Sequence, residues 1–177
     1  MNYGKIKPRD IADGPGIRVS LFVSGCRHHC KGCFNPETWS FSYGMAYTEA
    51  VEQEILDALG KSYIRGLTLL GGEPFEPENQ KELLALTKKV RAAYPEKTIW
   101  CYSGYTLETD ILAGRLGPGE ITMELLQNID VLVDGEFHEG EKNPSLRFRG
   151  SENQRVLDVK KTLAAGKAVL YDLEEEP

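Results

Sequence analysis

The run Gly25-Cys26-Arg27-His28-His29-Cys30-Lys31-Gly32-Cys33-Phe34-Asn35-Pro36 gathers three of the four cysteines of this chain. Their spacing is C-x3-C-x2-C. On an ideal helix, offsets of four and seven would align the three thiols in one buried stripe. The flanking residues oppose that reading, because Gly25 and Gly32 weaken a helix, Pro36 stops one, and the residues between the cysteines are strongly polar. A loop wrapped around a metal centre fits better, since thiolates this close repel one another unless a metal holds them as deprotonated ligands.

The number of ligands bears on which metal this is. Structural zinc closes its shell with four ligands, so His28 or His29 would have to fold back to complete a Cys3His site. An iron-sulfur cluster held by three cysteines keeps one iron free of protein, which is the open position a catalytic metal needs. A redox pair at Cys30 and Cys33 is a further alternative, and it gives Cys26 no task. The fourth cysteine, Cys101, lies in Thr98-Ile99-Trp100-Cys101-Tyr102, an apolar run that reads as a core strand.

Outward from the cysteines the chain alternates strands and helices. Before them, Ile17, Val19, Leu21 and Val23 alternate with Arg18, Ser20, Phe22 and Ser24, the period of a strand, after a polar lead and a turn at 13–16. After them, Thr48 caps a helix whose stripe is Val51, Ile55 and Leu59 and whose stop is Gly60. A continuous apolar strand at 67–70 runs into Gly71-Gly72-Glu73-Pro74 and a helix from about Pro77 to Tyr94. A third strand at 98–102 leads through Ser103-Gly104-Tyr105 to a helical stretch broken by Gly117-Pro118-Gly119, and a fourth at 130–133 ends in Asp134-Gly135. Residues 135–153 show no stripe and read as a long irregular loop, of the kind that is either functional or disordered. Strands at 155–159 and 168–171, with a short helix at 160–165 between them, complete the pattern, and the end of the chain from 171 to 177 reads as a solvated acidic tail.

The expected architecture is therefore α/β: an incomplete, open β/α barrel of about six mostly parallel strands with outer helices, in a single domain spanning 1–177. The length falls short of the roughly 250 residues of a closed eightfold barrel. A hydrophobic share of 41% and a charged share of 27% are those of a globular protein, and a net charge of −6 argues against a nucleic-acid binder. The start, Met1-Asn2-Tyr3-Gly4-Lys5, has no apolar core of a leader and no run is long enough to span a bilayer, so the expected location is the cytoplasm.

The three-cysteine loop directly after a first strand resembles that of the radical S-adenosylmethionine superfamily. The likeness extends to Asp13-Gly14-Pro15-Gly16-Ile17-Arg18, Cys33-Phe34-Asn35-Pro36, Gly71-Gly72-Glu73-Pro74, Asp134-Gly135, Arg149-Gly150-Ser151 and Asn153-Gln154-Arg155. It implies that Cys26, Cys30 and Cys33 hold a [4Fe-4S] cluster and act through it, and that Gly71, Gly72, Glu73 and Pro74 take the methionyl amine of S-adenosyl-L-methionine. Ser103 and Gly104 are candidates for its ribose or carboxylate, Asn35 belongs to the same cofactor set, and Asp134 either touches the cofactor or starts a turn with Gly135. Many members carry an aromatic residue before the third cysteine; here Gly32 stands there, so Phe34 or Trp39 is the candidate for the adenine.

The resemblance further implies reductive cleavage to a 5'-deoxyadenosyl radical and a glycyl radical installed on anaerobic ribonucleoside-triphosphate reductase. The electron comes from an external donor such as flavodoxin, because no dinucleotide or flavin fingerprint is present. Activation of a pyruvate formate-lyase type enzyme, radical chemistry on a small metabolite, and a Cys3His zinc module are the alternatives. A chain this short offers little to enclose a small substrate, which favours a protein docked over the site, with Arg147-Phe148-Arg149 as an expected contact.

Overall fold

The computed structural model describes residues 1–174. Seven strands form one mixed sheet: β1 (Asn2–Asp10), β2 (Ile17–Val23), β3 (Met45–Ala46), β4 (Ile64–Gly71), β5 (Thr98–Tyr102), β6 (Val131–Asp134) and β7 (Arg155–Asp158). Their order is β3-β1-β2-β4-β5-β6-β7. The central four, β2, β4, β5 and β6, are parallel, while β1 and β7 run antiparallel to their neighbours and β3 antiparallel to β1. The fold is α/β with an open sheet, as expected, but the strand set differs at both edges.

β1 is the first difference, since residues 2–10 read as a polar lead. Its register pairs Tyr3 with Val23 and Ile6 with Leu21, and only Tyr3 and Asp10 are buried along it. Beyond Asn2 and Tyr3, which pair with the two-residue β3, β1 is an open edge that needs few apolar residues, and its lysines, arginine and proline (Lys5, Lys7, Pro8, Arg9) keep that edge from pairing with another chain. At the other edge, the expected strand at 168–171 is only an isolated bridge of Leu170 with Leu157. Two backbone bonds, from Asp158 to Val169 and from Tyr171 to Val156, tie it down before the chain turns away.

Four helices pack on one face: α1 (Glu49–Leu59), α2 (Pro77–Ala93), α3 (Gly119–Asn128) and α4 (Val159–Ala165). Thr48 caps α1 by accepting from the Val51 amide, Pro77 opens α2 with its φ preset, and Asp158 caps α4, which ends on left-handed Gly166. The Gly117-Pro118-Gly119 break separates a π-turn at Leu107–Ile111 from α3. Between helices and sheet lies the main core: Val19, Leu21 and Val23, then Leu67, Leu69, Ile99, Cys101, Leu132 and Leu157, against Ile55, Leu59, Leu83, Leu86, Val90 and Leu125.

Among the described residues no α-helix covers the other face. There Trp100, Val131, Val133 and Val156 are covered by Phe148, Tyr171 and Leu173, all from irregular chain. This explains why 135–153 shows no stripe: it is a cover laid across strands, one side chain at a time. It also corrects two expectations. Tyr171 and Leu173 are partly buried against the Trp100 cluster, whereas Asp172 and Glu174 are exposed as the tail reading has it, and 175–177 lie outside the described residues. Phe148 turns inward to Trp100 at 5.4 Å, and the flanking arginines bond backbone carbonyls, Arg147 that of Leu173 and Arg149 those of Glu152 and Gln154. The Arg-Phe-Arg segment thus anchors its own loop, because an aromatic side chain gains more by burial beside Trp100 than by waiting for a partner.

Candidate functional site

The carboxyl ends of the parallel strands meet on one side of the sheet, and the cysteine loop is fixed there by backbone bonds. Gly25 and Cys26 donate to the carbonyls of Thr38 and Trp39, at 2.7 and 3.1 Å, while Gly72 and Glu73 donate to those of Val23 and Gly25, at 2.7 and 2.8 Å. These bonds lay the turn after β4 directly beside the exit of β2. A Cβ on Gly72 would fall 2.6 Å from the Gly25 carbonyl oxygen, so this approach requires glycine.

Cys26, Cys30 and Cys33 are free and half-buried, and all three line a cleft of about 730 Å³ together with Phe34, Asn35, Gly71, Gly72, Glu73, Ser103 and Gly104. Pro74 and Asp134 do not line it. Cys101 lies across the sheet in the helix-side core, fully buried. Burial pushes the Cys26 thiol up to about 12 and that of Cys30 up as well. These sulfurs become thiolates only where a cation takes the place of the proton. The Asn35 amide already points at the Cys33 sulfur, at 3.4 Å.

Zinc fits this donor set poorly. Among the described residues no three His, Cys, Asp or Glu side chains converge closely enough to hold a single metal ion, as Zn–S bonds of about 2.3 Å would demand. A cluster presents a separate iron to each cysteine and accepts ligands that stand further apart. Nor does either histidine turn to the thiols. His29 stacks on Trp39 at 4.6 Å, which also takes Trp39 out of the cleft, and His28 pairs with Glu73 and Glu136. Burial opposes the charge on His28, yet those two carboxylates hold its pKa up at about 9. Phe34, 65% exposed, remains at the rim of the cleft, 5.3 Å from Phe137.

Glu73 is buried, and its carboxylate is taken up by the protein itself. One oxygen accepts from the Phe75 amide and the Ser103 hydroxyl, at 2.8 and 2.9 Å, and the other from the Gly104 amide at 2.7 Å. It braces the turn after β5 against the turn after β4. Asp134 is likewise buried, bonded by the Leu107 amide and by Arg155, whose guanidinium also reaches Glu108. Arg155 therefore serves as an internal strut, and Asp134 as its anchor.

The cleft also has walls that the sequence reading passed over, Lys5 and Lys7 from β1 and Phe137 and Lys142 from the 135–153 loop, and two residues, Asp13 and Arg149, to which it gave no part in the cleft. The Tyr3-Lys5-Lys7 alternation was the available signal for the first two. Burial and the neighbouring Asp10 push Asp13 up to about 7, against the weaker pull of Lys7 and Lys5. A carboxyl group whose pKa is raised on folding binds its proton more tightly in the native state, so its stabilising effect is complete below about pH 4 and is lost as pH rises towards 7. Asp13→Asn should remove that loss. Relative to the parent, we expect the variant to gain about 2 kcal/mol at pH 8, half the full linkage value because the group is partly solvated, and nothing near pH 4. Urea unfolding at the two pH values measures this, and an equal gain at both would refute the assignment.

Comparison with known proteins adds the following. The family described as a 4Fe-4S single cluster domain matches residues 12–157. The anaerobic ribonucleoside-triphosphate reductase-activating protein of Vibrio cholerae is 45% identical over 159 residues, covering 88% of this chain and 97% of its own. The proteins of the same name from phage T4 and Escherichia coli K12 are 43% and 42% identical, over 88% of this chain and 93% and 97% of theirs.

Proposed function

The chain belongs to the anaerobic ribonucleoside-triphosphate reductase-activating proteins, with the 4Fe-4S single cluster domain, and from that premise we propose how its residues carry the activity. It is an iron-sulfur activating enzyme whose protein substrate is anaerobic ribonucleoside-triphosphate reductase. Cys26, Cys30 and Cys33 hold a [4Fe-4S] cluster, with one iron left for S-adenosyl-L-methionine. The observation that carries this reading is that three free thiols share one cleft with Gly71, Gly72, Glu73, Ser103 and Gly104, while Cys101 sits in the helix-side core. When bound, cluster and cofactor supply a 5'-deoxyadenosyl radical, with methionine as the other product, and the radical removes a hydrogen atom from a glycine Cα of the reductase.

The protein's own part is positioning and exclusion of water. The backbone of Gly71, Gly72 and Glu73 would face the amine of the cofactor, with Pro74 behind it closing the turn, Ser103 and Asn35 would bound its polar end, and Phe34 would offer a ring face to adenine. Glu73 acts through the hydrogen bonds that fix Ser103 and Gly104. Asp134 acts one step further back, through Arg155. The cleft of about 730 Å³ lies within the range of small-molecule sites, and irregular chain alone covers this face of the sheet. A loop of the reductase closes its mouth.

The electron comes from a separate low-potential donor of the flavodoxin kind, since the chain carries no flavin or dinucleotide motif. We read 1–177 as a single domain with the open sheet as a partial β/α barrel. No helix among the described residues is long and apolar enough to cross a membrane, and we place the enzyme with its reductase in the cytoplasm.

The test is anaerobic purification followed by reaction with reductant, S-adenosylmethionine and purified reductase. The expected protein is brown with about four irons per chain, and a glycyl-radical doublet appears on the reductase in electron paramagnetic resonance. Stoichiometric zinc without visible absorbance would overturn the cluster, and cofactor cleavage with no radical on the reductase would overturn the partner.

A further inference from the structure

His28 belongs to the cysteine loop, yet its side chain is directed to other parts of the chain. It reaches the loops after β4, β5 and β6 together. Nε2 stands 3.3 Å from Glu73 Oε2, a charge contact without hydrogen-bond geometry, Nδ1 is hydrogen-bonded to Glu136 Oε1 at 2.7 Å, and the ring lies 4.3 Å from that of Tyr105. The side chain is 9% exposed. A Cβ built on Gly104 would fall 2.7 Å from both Cδ2 and Nε2 of the His28 ring, and its third nearest atom is again in that ring. Gly104 does not occupy the left-handed region, so an alanine there is obstructed by His28 and not by its own backbone.

We propose that His28 is a positioning residue, which sets the cysteine loop in register with the three strand-end loops that take the cofactor, acting through Glu73, Gly104 and Glu136. This rests on the cofactor reading given above. Glu73 is the junction, because the same carboxylate that faces His28 also bonds the Ser103 hydroxyl and the Gly104 amide. Glu136 extends the register to the loop that covers the sheet beyond β6. Gly104 then owes its lack of a side chain to the imidazole that lies on it, and not to close approach of the cofactor. Hydrogen-bonding partners outside a metal's direct ligands act in this way, and their loss typically costs 10- to 100-fold in affinity or activity.

The test is a double-mutant cycle on the full chain, reconstituted anaerobically: parent, His28→Ala, Gly104→Ala and the double variant. Iron is counted, S-adenosylmethionine binding is measured by calorimetry, and the resonance spectrum of the reduced cluster is recorded with and without cofactor. Each single variant should keep its iron, bind the cofactor about 10-fold more weakly and show an altered cofactor-induced spectral change. The double variant should bind no more weakly than His28→Ala, because the alanine methyl enters the space the ring has left. A double variant weaker by the product of the two single effects would mean that Gly104 meets the cofactor independently, and would overturn the proposal. So would parent-strength binding by Gly104→Ala. If His28→Ala fails to fold, Glu136→Gln reads the same register from the exposed side, with about 10-fold weaker binding expected and unchanged binding contradicting it. A parent chain that takes up no iron or binds no cofactor would instead refute the cofactor reading itself, which separates the two failures.

Discussion

Cys30→Ser, purified without air, is expected to leave the reductase without a glycyl radical, at background, and to hold little iron. On the proposed reading each of the three loop cysteines is a ligand with no substitute. The fourth thiol is in the helix-side core, and both histidines of the loop are engaged elsewhere, His28 with Glu73 and Glu136 and His29 with Trp39. A serine hydroxyl is a far weaker ligand for iron in such a cluster than a thiolate, which soft metals select. Cys26→Ser and Cys33→Ser should behave alike. The contrast is Cys101→Ala, which removes a fully buried sulfur from β5 and should cost about 1 kcal/mol of stability while leaving iron and radical formation intact. Iron analysis and radical yield decide the matter. A Cys30→Ser protein with full iron and normal yield would remove that cysteine from the centre.

Arg18→Lys should be among the most destabilising single changes in the fold. Arg18 is 1% exposed, on the face of β2 opposite the helices, and its guanidinium donates to five acceptors. They are Thr68 Oγ1, Thr98 Oγ1 and the backbone carbonyls of Pro15, Leu67 and Thr98, so this one side chain joins β2 to β4, β5 and the turn at 13–16. The planar fork is what makes five bonds possible; an ammonium has three donors from a single point and leaves at least two buried acceptors unmet. At roughly 1–3 kcal/mol for each unsatisfied buried group, the loss should be about 3 kcal/mol. For a domain of this size that lowers the melting temperature by roughly 6–12 °C. Calorimetry checks it, and a fall of less than 2 °C would show that the sheet does not depend on this guanidinium.

The alternation at 17–23 and the apolar runs at 67–70, 98–102 and 130–133 marked four strands, and the continuous runs pointed to a parallel sheet, because a strand buried on both faces must be apolar almost throughout. Thr48, Pro77 and Gly166 announced helix ends because capping is local chemistry, written within four residues of the end it serves. The cysteine loop announced a metal centre because ligand spacing is local too. β1 was illegible, since past Asn2 and Tyr3, where β3 also pairs, it lies open on one side, carries Lys5, Lys7 and Arg9 and shows little of the hydrophobic signal. The cover at 135–153 was legible only as an absence of pattern. Its order comes from separate long-range contacts such as Phe148 on Trp100 and Glu136 on His28.

The same division runs through the site. Sequence alone determined which residues stand at the strand ends, and hence that Cys26, Cys30, Cys33, Gly71, Gly72, Ser103 and Gly104 share one cleft. It did not determine what each does there. Glu73, expected at the amine of the cofactor, turns inward to Ser103, Gly104 and His28; Asp134 turns to Arg155; Trp39 turns to His29. Position along the chain follows from local propensity and periodicity, whereas the direction in which a buried carboxylate or ring points follows from which donors and surfaces other strands bring within about 3 Å of it, and those neighbours exist only in the folded molecule.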